Sequence, residues 1–230
     1  MRQHDSGTNR TSASATPRRN FLVRLMASTA GLVSTPRLLD AMESGDARAD
    51  DDWMQSLTGK HRVVFDVAAH LNGKPLAQTR NYLNAWQGSF KVPERDVNVV
   101  LGIHGDAIPI VLRDAVWSSL QIGQQYGVRD AATNAPAVRN VFQTANVSAG
   151  GVVNAEQTVE ALQQRGVQFL ICMNTIAGAT QKLAAAGIGT PEAIRAALLG
   201  GLLPGVITVP AMVVTFTQLH ERGLAYTKIT

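Results

Sequence analysis

The fold of this chain is decided by short apolar runs, among which VNVVLGI at residues 97–103 is nearly uninterrupted. A run of this length, rich in β-branched residues, predicts a strand that is buried on both faces of a sheet. It ends at His104-Gly105-Asp106, where polar residues and glycine take over. Runs of the same kind predict four more strands, at residues 61–67, 167–173, 205–210 and 224–229.

Segments with helical spacing of apolar residues lie between these strands. Pro75 suits the first turn of one helix, and Gly166 ends another. Asp106 is expected to cap a helix over residues 108–120. Strands that alternate with helices indicate an α/β protein, a three-layer α/β/α sandwich with a five-stranded, mainly parallel sheet. The other helices are predicted at residues 75–88, 155–166, 174–186, 190–200 and 212–222.

The first 49 residues differ in composition from the rest and predict an export signal. Arg18-Arg19 is followed by Asn20-Phe21-Leu22 and a weakly apolar stretch. This order resembles a bacterial twin-arginine signal, although Pro17 stands where such signals have Ser or Thr. Small residues at positions 47 and 49 predict cleavage before an acidic run. We expect a signal peptide and disordered N-terminus over 1–49, an α/β domain over 50–230 and a periplasmic location; the alternative is a basic tail on a cytoplasmic protein.

The net charge gives no reason to expect a nucleic-acid partner. The whole sequence carries +4, but residues 1–49 hold seven arginines against four acidic residues, which leaves +1 on the remainder. No basic cluster remains in the predicted domain. No stretch approaches the ~18–20 uninterrupted apolar residues of a membrane helix. We therefore expect neither a nucleic-acid partner nor an integral membrane span in the mature chain.

Cys172, the one cysteine of the sequence, is the main candidate for chemistry. It lies near the end of the predicted strand 167–173, and ligands of open α/β sheets bind at the carboxyl ends of strands. A helix is predicted to begin with Asn174 or Thr175 as its cap, and the partial positive charge of a helix N-terminus stabilises a thiolate. A reactive thiol is one interpretation. The alternative is an inert core residue, because free cysteine is among the most buried residue types.

His104 is the candidate partner of that thiol. It follows the predicted strand 97–103, and a paired parallel strand lies ~5 Å away. Pairing of the second and third strands would bring His104 towards Cys172 as an activating base; a capping or loop histidine is the alternative. A metal site from His70, His104 and Cys172 is disfavoured, because the sequence has no closely spaced pair of ligands. Glycine-rich nucleotide-binding motifs are absent from the sequence as well, so no cofactor is predicted.

Five segments form a pattern of elements around the one cysteine: VVLGIHGDAIP (99–109), LRDAVW (112–117), RGVQFLICMNT (165–175), LLPGVITVPAMVV (202–214) and ERGLAYTKI (221–229). Together they resemble the DsrE/DsrF-like sulfur-relay family over residues 60–229. The resemblance implies a three-layer sandwich with a five-stranded parallel sheet, assembly into oligomers, and sulfur carried as a persulfide on Cys172. Two features depart from the family: the export signal, since the known relays work in the cytoplasm, and the long segment 127–153.

The sequence thus predicts an exported DsrE-like homo-oligomer, a sulfur carrier or sulfurtransferase that uses Cys172 with His104 in support. A sulfur donor or acceptor protein would be its partner. The alternative is a module without chemistry, in which Cys172 is packed in the core. Such a module would be a small-ligand-binding protein with a cleft covered by segment 127–153, or a structural subunit of an oligomer. Reactivity of Cys172 in the folded protein separates these hypotheses.

Overall fold

The computed structural model describes residues 53–144 and 154–230. The predicted export signal, its cleavage site and residues 145–153 of the long segment lie outside the described residues. The spatial order of the strands is β4-β3-β2-β1-β5, and each neighbouring pair is parallel. The strands are β1 (His61–Ala69), β2 (Val97–Asp106), β3 (Gln168–Cys172), β4 (Val206–Val209) and β5 (Ala225–Ile229).

Helices connect these strands. Within the described residues, no helix is both long and apolar enough to cross a membrane. Short 3-10 helices occupy Leu71–Gly73, Glu94–Asp96, Ile108–Val111 and Ala155–Gln157. The α-helices are α1 (Lys74–Gly88), α2 (Asp114–Ser119), α3 (Ile122–Tyr126), α4 (Val159–Gln164), α5 (Met173–Ala185), α6 (Pro191–Gly200) and α7 (Met212–Glu221).

The two faces of the sheet bury separate hydrophobic clusters. On one face, Phe65 and Leu101 belong to a cluster completed by apolar residues of α1 to α6. On the other face, Val100 and Leu170 pack with Leu219 of α7. Alternate residues of each strand therefore point to opposite helical layers. Helices on both faces of a five-stranded sheet confirm the predicted three-layer α/β/α sandwich, and the sheet is parallel throughout.

Helix α7 lies close to the sheet because residue 102, in the middle of β2, is glycine. A Cβ atom at this position would lie 2.5 Å from Phe216 Cε1 and 2.8 Å from Met212 Sδ. Both distances are shorter than packed atoms tolerate, so these two side chains occupy the space that a larger residue would fill. The missing side chain thus sets the position of the first turns of α7 over the sheet.

The prediction of a single helix over residues 108–120 is wrong. The chain forms a 3-10 helix first, and then the two short helices α2 and α3. Between the 3-10 helix and α2, Leu112 is extended and forms an antiparallel bridge with Leu202. This tertiary pairing takes the backbone out of the helical conformation that the local pattern favours. Asp106 is accordingly the last residue of β2 and does not cap a helix.

The helix predicted over residues 155–166 begins later than expected, because a threonine provides its cap. Thr158 Oγ1 accepts a hydrogen bond of 3.0 Å from the Ala161 N–H, and α4 starts directly after Thr158. Thr190 caps α6 in the same way, as the Thr190-Pro191 pair predicts. A side-chain oxygen that accepts a free N–H of the first turn defines both starts.

Replacement of Gly102 by alanine is expected to lower the free energy of unfolding by about 1–3 kcal/mol, because Phe216 and Met212 must leave their packed positions. Urea unfolding followed by circular dichroism measures this change. Gly178→Ala is the control: Gly178 is exposed on α5, and nothing lies within 4 Å of the added Cβ. Alanine there is expected to raise stability by about 0.5–1 kcal/mol. An unfolding midpoint unaffected by Gly102→Ala would contradict the close approach of α7.

Candidate functional site

A cleft of about 410 Å³ opens at the carboxyl edge of the sheet, beside the ends of β2 and β3. Ligands of open parallel sheets bind at this edge. The volume falls within the ~300–1,000 Å³ typical of small-molecule sites. The side chains that matter for its chemistry are those of His104, Asp106, Tyr126, Cys172, Lys182 and Met212.

The N-termini of two helices meet at Cys172. This residue ends β3 and is itself the N-cap of α5, which therefore starts slightly earlier than the Asn174 or Thr175 cap predicted from the sequence. Its Sγ accepts a hydrogen bond of 3.3 Å from the N–H of Met212, the first residue of α7. The Cys172 side chain makes no capping hydrogen bond within α5, so the N–H at the start of α7 is the donor to the sulfur. The N-terminus of a helix, with its partial positive charge, is a setting in which reactive thiols of proteins occur.

Cys172 is also buried, with 5% of its surface exposed. It belongs to the hydrophobic cluster of the α7 face together with Leu170 and Val209, and it forms part of the cleft wall. A reagent must therefore enter the cleft to reach the sulfur. The burial alone fits the alternative of an inert core residue, whereas the hydrogen bond from α7 and the position in the cleft fit a nucleophile.

His104 lines the same cleft, because β2 and β3 are neighbours in the sheet. Among the described residues, no hydrogen bond joins the His104 ring to Cys172. Instead, His104 Nε2 lies 2.5 Å from Asp66 Oδ1, and the histidine side chain remains 31% exposed. The second ring nitrogen, Nδ1, has no hydrogen-bond partner among the described residues. The structure thus places both predicted site residues at one cleft.

Asp66 is a site residue that the sequence analysis missed. It lies in the middle of β1, is 6% exposed, and receives a second hydrogen bond from the Tyr226 hydroxyl, with 2.5 Å between Tyr226 Oη and Asp66 Oδ2. This hydrogen bond, together with desolvation, raises the pKa of Tyr226 to about 12. The sequence did contain a signal for this residue, namely a carboxylate inside the apolar run 61–67. A buried charge requires polar partners, so such a carboxylate indicates a polar network.

The ring of Phe216 joins the two partners of Asp66. Its centroid lies 6.3 Å from that of His104 and 5.4 Å from that of Tyr226, and both contacts are edge-to-face. Such arrangements are favourable for aromatic pairs. Helix α7 therefore covers the Asp66 network from the side opposite to the core of α1 to α6.

Polar groups form the outer rim of the cleft. Lys182 Nζ lies 3.4 Å from Asp106 Oδ1 and 3.8 Å from the centroid of the Tyr126 ring. Burial and the nearby Asp106 carboxylate raise the pKa of Tyr126 to about 12, so its hydroxyl stays protonated at neutral pH. The exposed ion pair contributes little to stability. The rim offers one cation, one carboxylate and one hydroxyl to an incoming molecule.

The start of α5 is tied to the end of β2 at the base of the cleft. Gly105 N–H donates to Thr175 Oγ1 over 3.1 Å, and Thr175 is buried. Gly105 has a positive φ of 54°, and a Cβ atom there would lie 2.8 Å from Ala68 O. The two strand ends that carry His104 and Cys172 are thus connected by a hydrogen bond of the cleft lining itself.

His70 has a structural role outside the cleft. Its Nε2 lies 3.0 Å from Tyr126 O, and its Nδ1 accepts the N–H of Asn72. Within residues 53–144 and 154–230, no group of three or more His, Cys, Asp or Glu side chains could hold a metal ion.

The described part of the long segment, residues 127–144, does not line the cleft. It is fixed to the fold by Asn140, which is buried and donates from Nδ2 to Ile110 O and Leu112 O over 3.1 and 2.7 Å. The hypothesis that this segment covers the cleft now depends on residues 145–153, which lie outside the described residues.

Comparison with known proteins adds little to this geometry. No protein-family model matches the chain, and no curated protein matches it. A solved structure of the protein of unknown function MTH1491 from Methanobacterium thermoautotrophicum is similar to it, with 18% sequence identity and a TM-score of 0.39. The match covers 74% of this chain and 99% of that one.

Met212→Pro and Met212→Leu form a matched pair that tests the hydrogen bond to Cys172. Both variants remove the thioether, but only proline removes the N–H. Proline is accommodated at the first position of a helix, and Ala211 before it is already extended (φ −147°, ψ 120°). We expect Cys172 of Met212→Pro to react with iodoacetamide at pH 7 about twofold to tenfold more slowly than Cys172 of Met212→Leu, which corresponds to one hydrogen bond of ~0.5–1.5 kcal/mol. Equal rates in two folded variants would show that the N–H at the start of α7 does not affect the reactivity of Cys172.

Proposed function

We propose that this protein is an exported DsrE-like sulfur carrier that accepts sulfur on Cys172 as a persulfide. The observation that supports the proposal is the hydrogen bond that the Met212 N–H, at the N-terminus of α7, donates to Cys172 Sγ at the wall of the cleft. A thiolate is the nucleophile of sulfur transfer, and this arrangement favours one. The resemblance of residues 60–229 to the DsrE/DsrF-like family supports the same role. A persulfide carrier requires one cysteine, which is the number present.

The proposed step moves one sulfur atom between two thiols. The thiolate of Cys172 attacks the terminal sulfur of a persulfide RSSH, so a bond forms at Sγ while the sulfur–sulfur bond of the donor breaks. The donor leaves as a thiolate, which takes up a proton and departs as RSH. The transferred sulfur keeps its oxidation level, so no electrons are left over. His104 is the proposed base that removes the proton from the Cys172 thiol.

The low exposure of Cys172 favours a slender donor. A persulfide on a small molecule, or at the end of a flexible protein segment, fits a cleft of about 410 Å³ better than a persulfide on a rigid protein surface. The proposal also includes a partner protein that delivers or removes sulfur. Its sulfur-bearing group must likewise lie on a flexible segment that enters the cleft. The family resemblance also implies a homo-oligomer, whose mass light scattering would measure.

Treatment of the full chain with cysteine persulfide is expected to add the mass of one sulfur atom, located on Cys172 by peptide mass spectrometry. Cys172→Ala should gain no sulfur. His104→Gln should gain sulfur about a hundredfold to ten-thousandfold more slowly, since it lacks the proposed base. His220→Gln is the matched control, because His220 is exposed at the end of α7 and does not line the cleft.

A folded wild-type protein that gains no sulfur on Cys172 would reject the carrier function. If Cys172 also resists iodoacetamide until the protein is denatured, the thiol is a packing residue. The chain is then better described as a small-ligand-binding or structural module.

Export by the twin-arginine pathway is proposed from the sequence alone. Replacement of Arg18 and Arg19 together by lysine is expected to abolish accumulation in the periplasm, because this pathway recognises the arginine pair. Arg10→Lys is the control outside the motif. Cell fractionation followed by immunoblotting measures both variants. Unchanged periplasmic accumulation of the double variant would favour the cytoplasmic alternative.

A further inference from the structure

Asp66 is a buried carboxylate with two hydrogen-bond partners from different strands. Its Oδ1 lies 2.5 Å from His104 Nε2 of β2, and its Oδ2 lies 2.5 Å from Tyr226 Oη of β5. All three residues lie on the sheet face that α7 covers, and the Phe216 ring contacts both partners of the carboxylate. A charged residue at 6% exposure in the middle of a strand requires such compensation.

We propose that Asp66 and Tyr226 are positioning residues that fix the tautomer of His104. Asp66 holds the ring proton on Nε2, and Nδ1 is thereby left as the basic atom at the cleft. The assignment of a tautomer stands on the geometry of these three residues. Its consequence for sulfur transfer rests on the proposed function of Cys172.

The kinds of atoms that meet at Asp66 determine which of them donate. An ionised carboxylate can only accept hydrogen bonds, so both of its partners must donate. Tyr226 donates from its hydroxyl, and the hydrogen bond to Asp66 raises the pKa of Tyr226 to about 12, which keeps the donor in place at neutral pH. His104 must then donate from Nε2. In a neutral imidazole the other nitrogen carries the lone pair, and here that nitrogen is Nδ1.

Because the His104 ring is partly exposed, this tautomer can act as a base towards Cys172. His104 is 31% exposed, lines the cleft with Cys172, and has no hydrogen-bond partner for Nδ1 among the described residues. During sulfur transfer, Nδ1 takes the proton of the Cys172 thiol and returns it to the leaving thiolate of the donor, so the proton count closes. The imidazolium formed in between lies beside the Asp66 carboxylate, which stabilises its charge.

Substitution of Asp66 by asparagine changes the direction of one hydrogen bond. The Tyr226 hydroxyl can still donate to the amide oxygen, so the amide nitrogen is turned towards His104 and donates to Nε2. This moves the ring proton to Nδ1 and removes the basic atom from the cleft. Tyr226→Phe is milder, because the carboxylate remains and only one of its two hydrogen bonds is lost.

Nitrogen NMR of the full chain labelled with ¹⁵N-histidine tests the tautomer directly. The sequence contains five histidines, and loss of one ring system in His104→Gln assigns the signals of interest. For the neutral form of the His104 ring, we expect the proton on Nε2 in the wild type and on Nδ1 in Asp66→Asn. A wild-type ring that carries its proton on Nδ1 would overturn the proposal, whatever the outcome of the sulfur-transfer experiments.

Kinetics test the consequence for Cys172, with cysteine persulfide and iodoacetamide as separate probes. We expect Asp66→Asn to react about a hundredfold more slowly than the wild type with either probe, and Tyr226→Phe about threefold to tenfold more slowly, because base catalysis contributes ~10²–10⁴-fold. Half-saturating concentrations of cysteine persulfide should stay unchanged. Tyr82→Phe is the matched control, since Tyr82 packs against the core of the opposite face.

The outcomes separate this inference from the proposed function. Wild-type rates in folded Asp66→Asn and Tyr226→Phe would overturn the positioning role. If Asp66→Asn does not fold, the wild-type tautomer and the rate of Tyr226→Phe still decide. If Cys172 alkylates with the expected dependence on Asp66 but never accepts sulfur, the positioning role stands and the carrier function fails.

Discussion

The approach of α7 to the sheet over Gly102 is the constraint on which the site depends. With no side chain at residue 102, Met212 and Phe216 occupy the surface of β2 directly. The same helix then presents the Met212 N–H to Cys172 and the Phe216 ring to His104 and its neighbours. A helix displaced outwards by one methyl group would lengthen these contacts together. One glycine in a strand thereby couples the packing of a helix to the chemistry of a cleft.

The sequence predicted the sheet well because each strand carries its own signal. Short β-branched runs bounded by glycine and polar residues need no tertiary information, and all five were found within a few residues of their ends. The region 108–126 failed for the opposite reason. Its apolar spacing suits one helix, but Leu112 bridges to Leu202, ninety positions further along the chain. A local pattern contains no information about a partner that the fold brings from so far away.

The site was predictable to the extent that it lies at strand ends. The carboxyl-edge rule for parallel sheets selects His104 and Cys172, and pairing of β2 with β3 places them at one cleft. Asp66 and Tyr226 escape that rule because they lie inside strands. Their contact requires β5 to return beside β1, on the side away from β2. The local sequence does not determine the order of the strands. The apolar run 61–67 therefore shows that Asp66 is a buried carboxylate, but it does not show which residues contact that carboxylate.

The burial of Cys172 is compatible with its proposed reactivity, because fixed dipoles can stabilise a thiolate in place of water. The Met212 N–H supplies such a dipole without exposing the sulfur. The same burial restricts access to molecules that fit between the apolar wall of α7 and the polar rim of Lys182 and Asp106. In the proposed carrier, a persulfide held at this depth would be out of reach of thiols on the surfaces of other folded proteins, which would otherwise reduce it. A thiol on an open surface would be accessible to those protein thiols as well, so the low exposure favours selectivity for slender donors and acceptors.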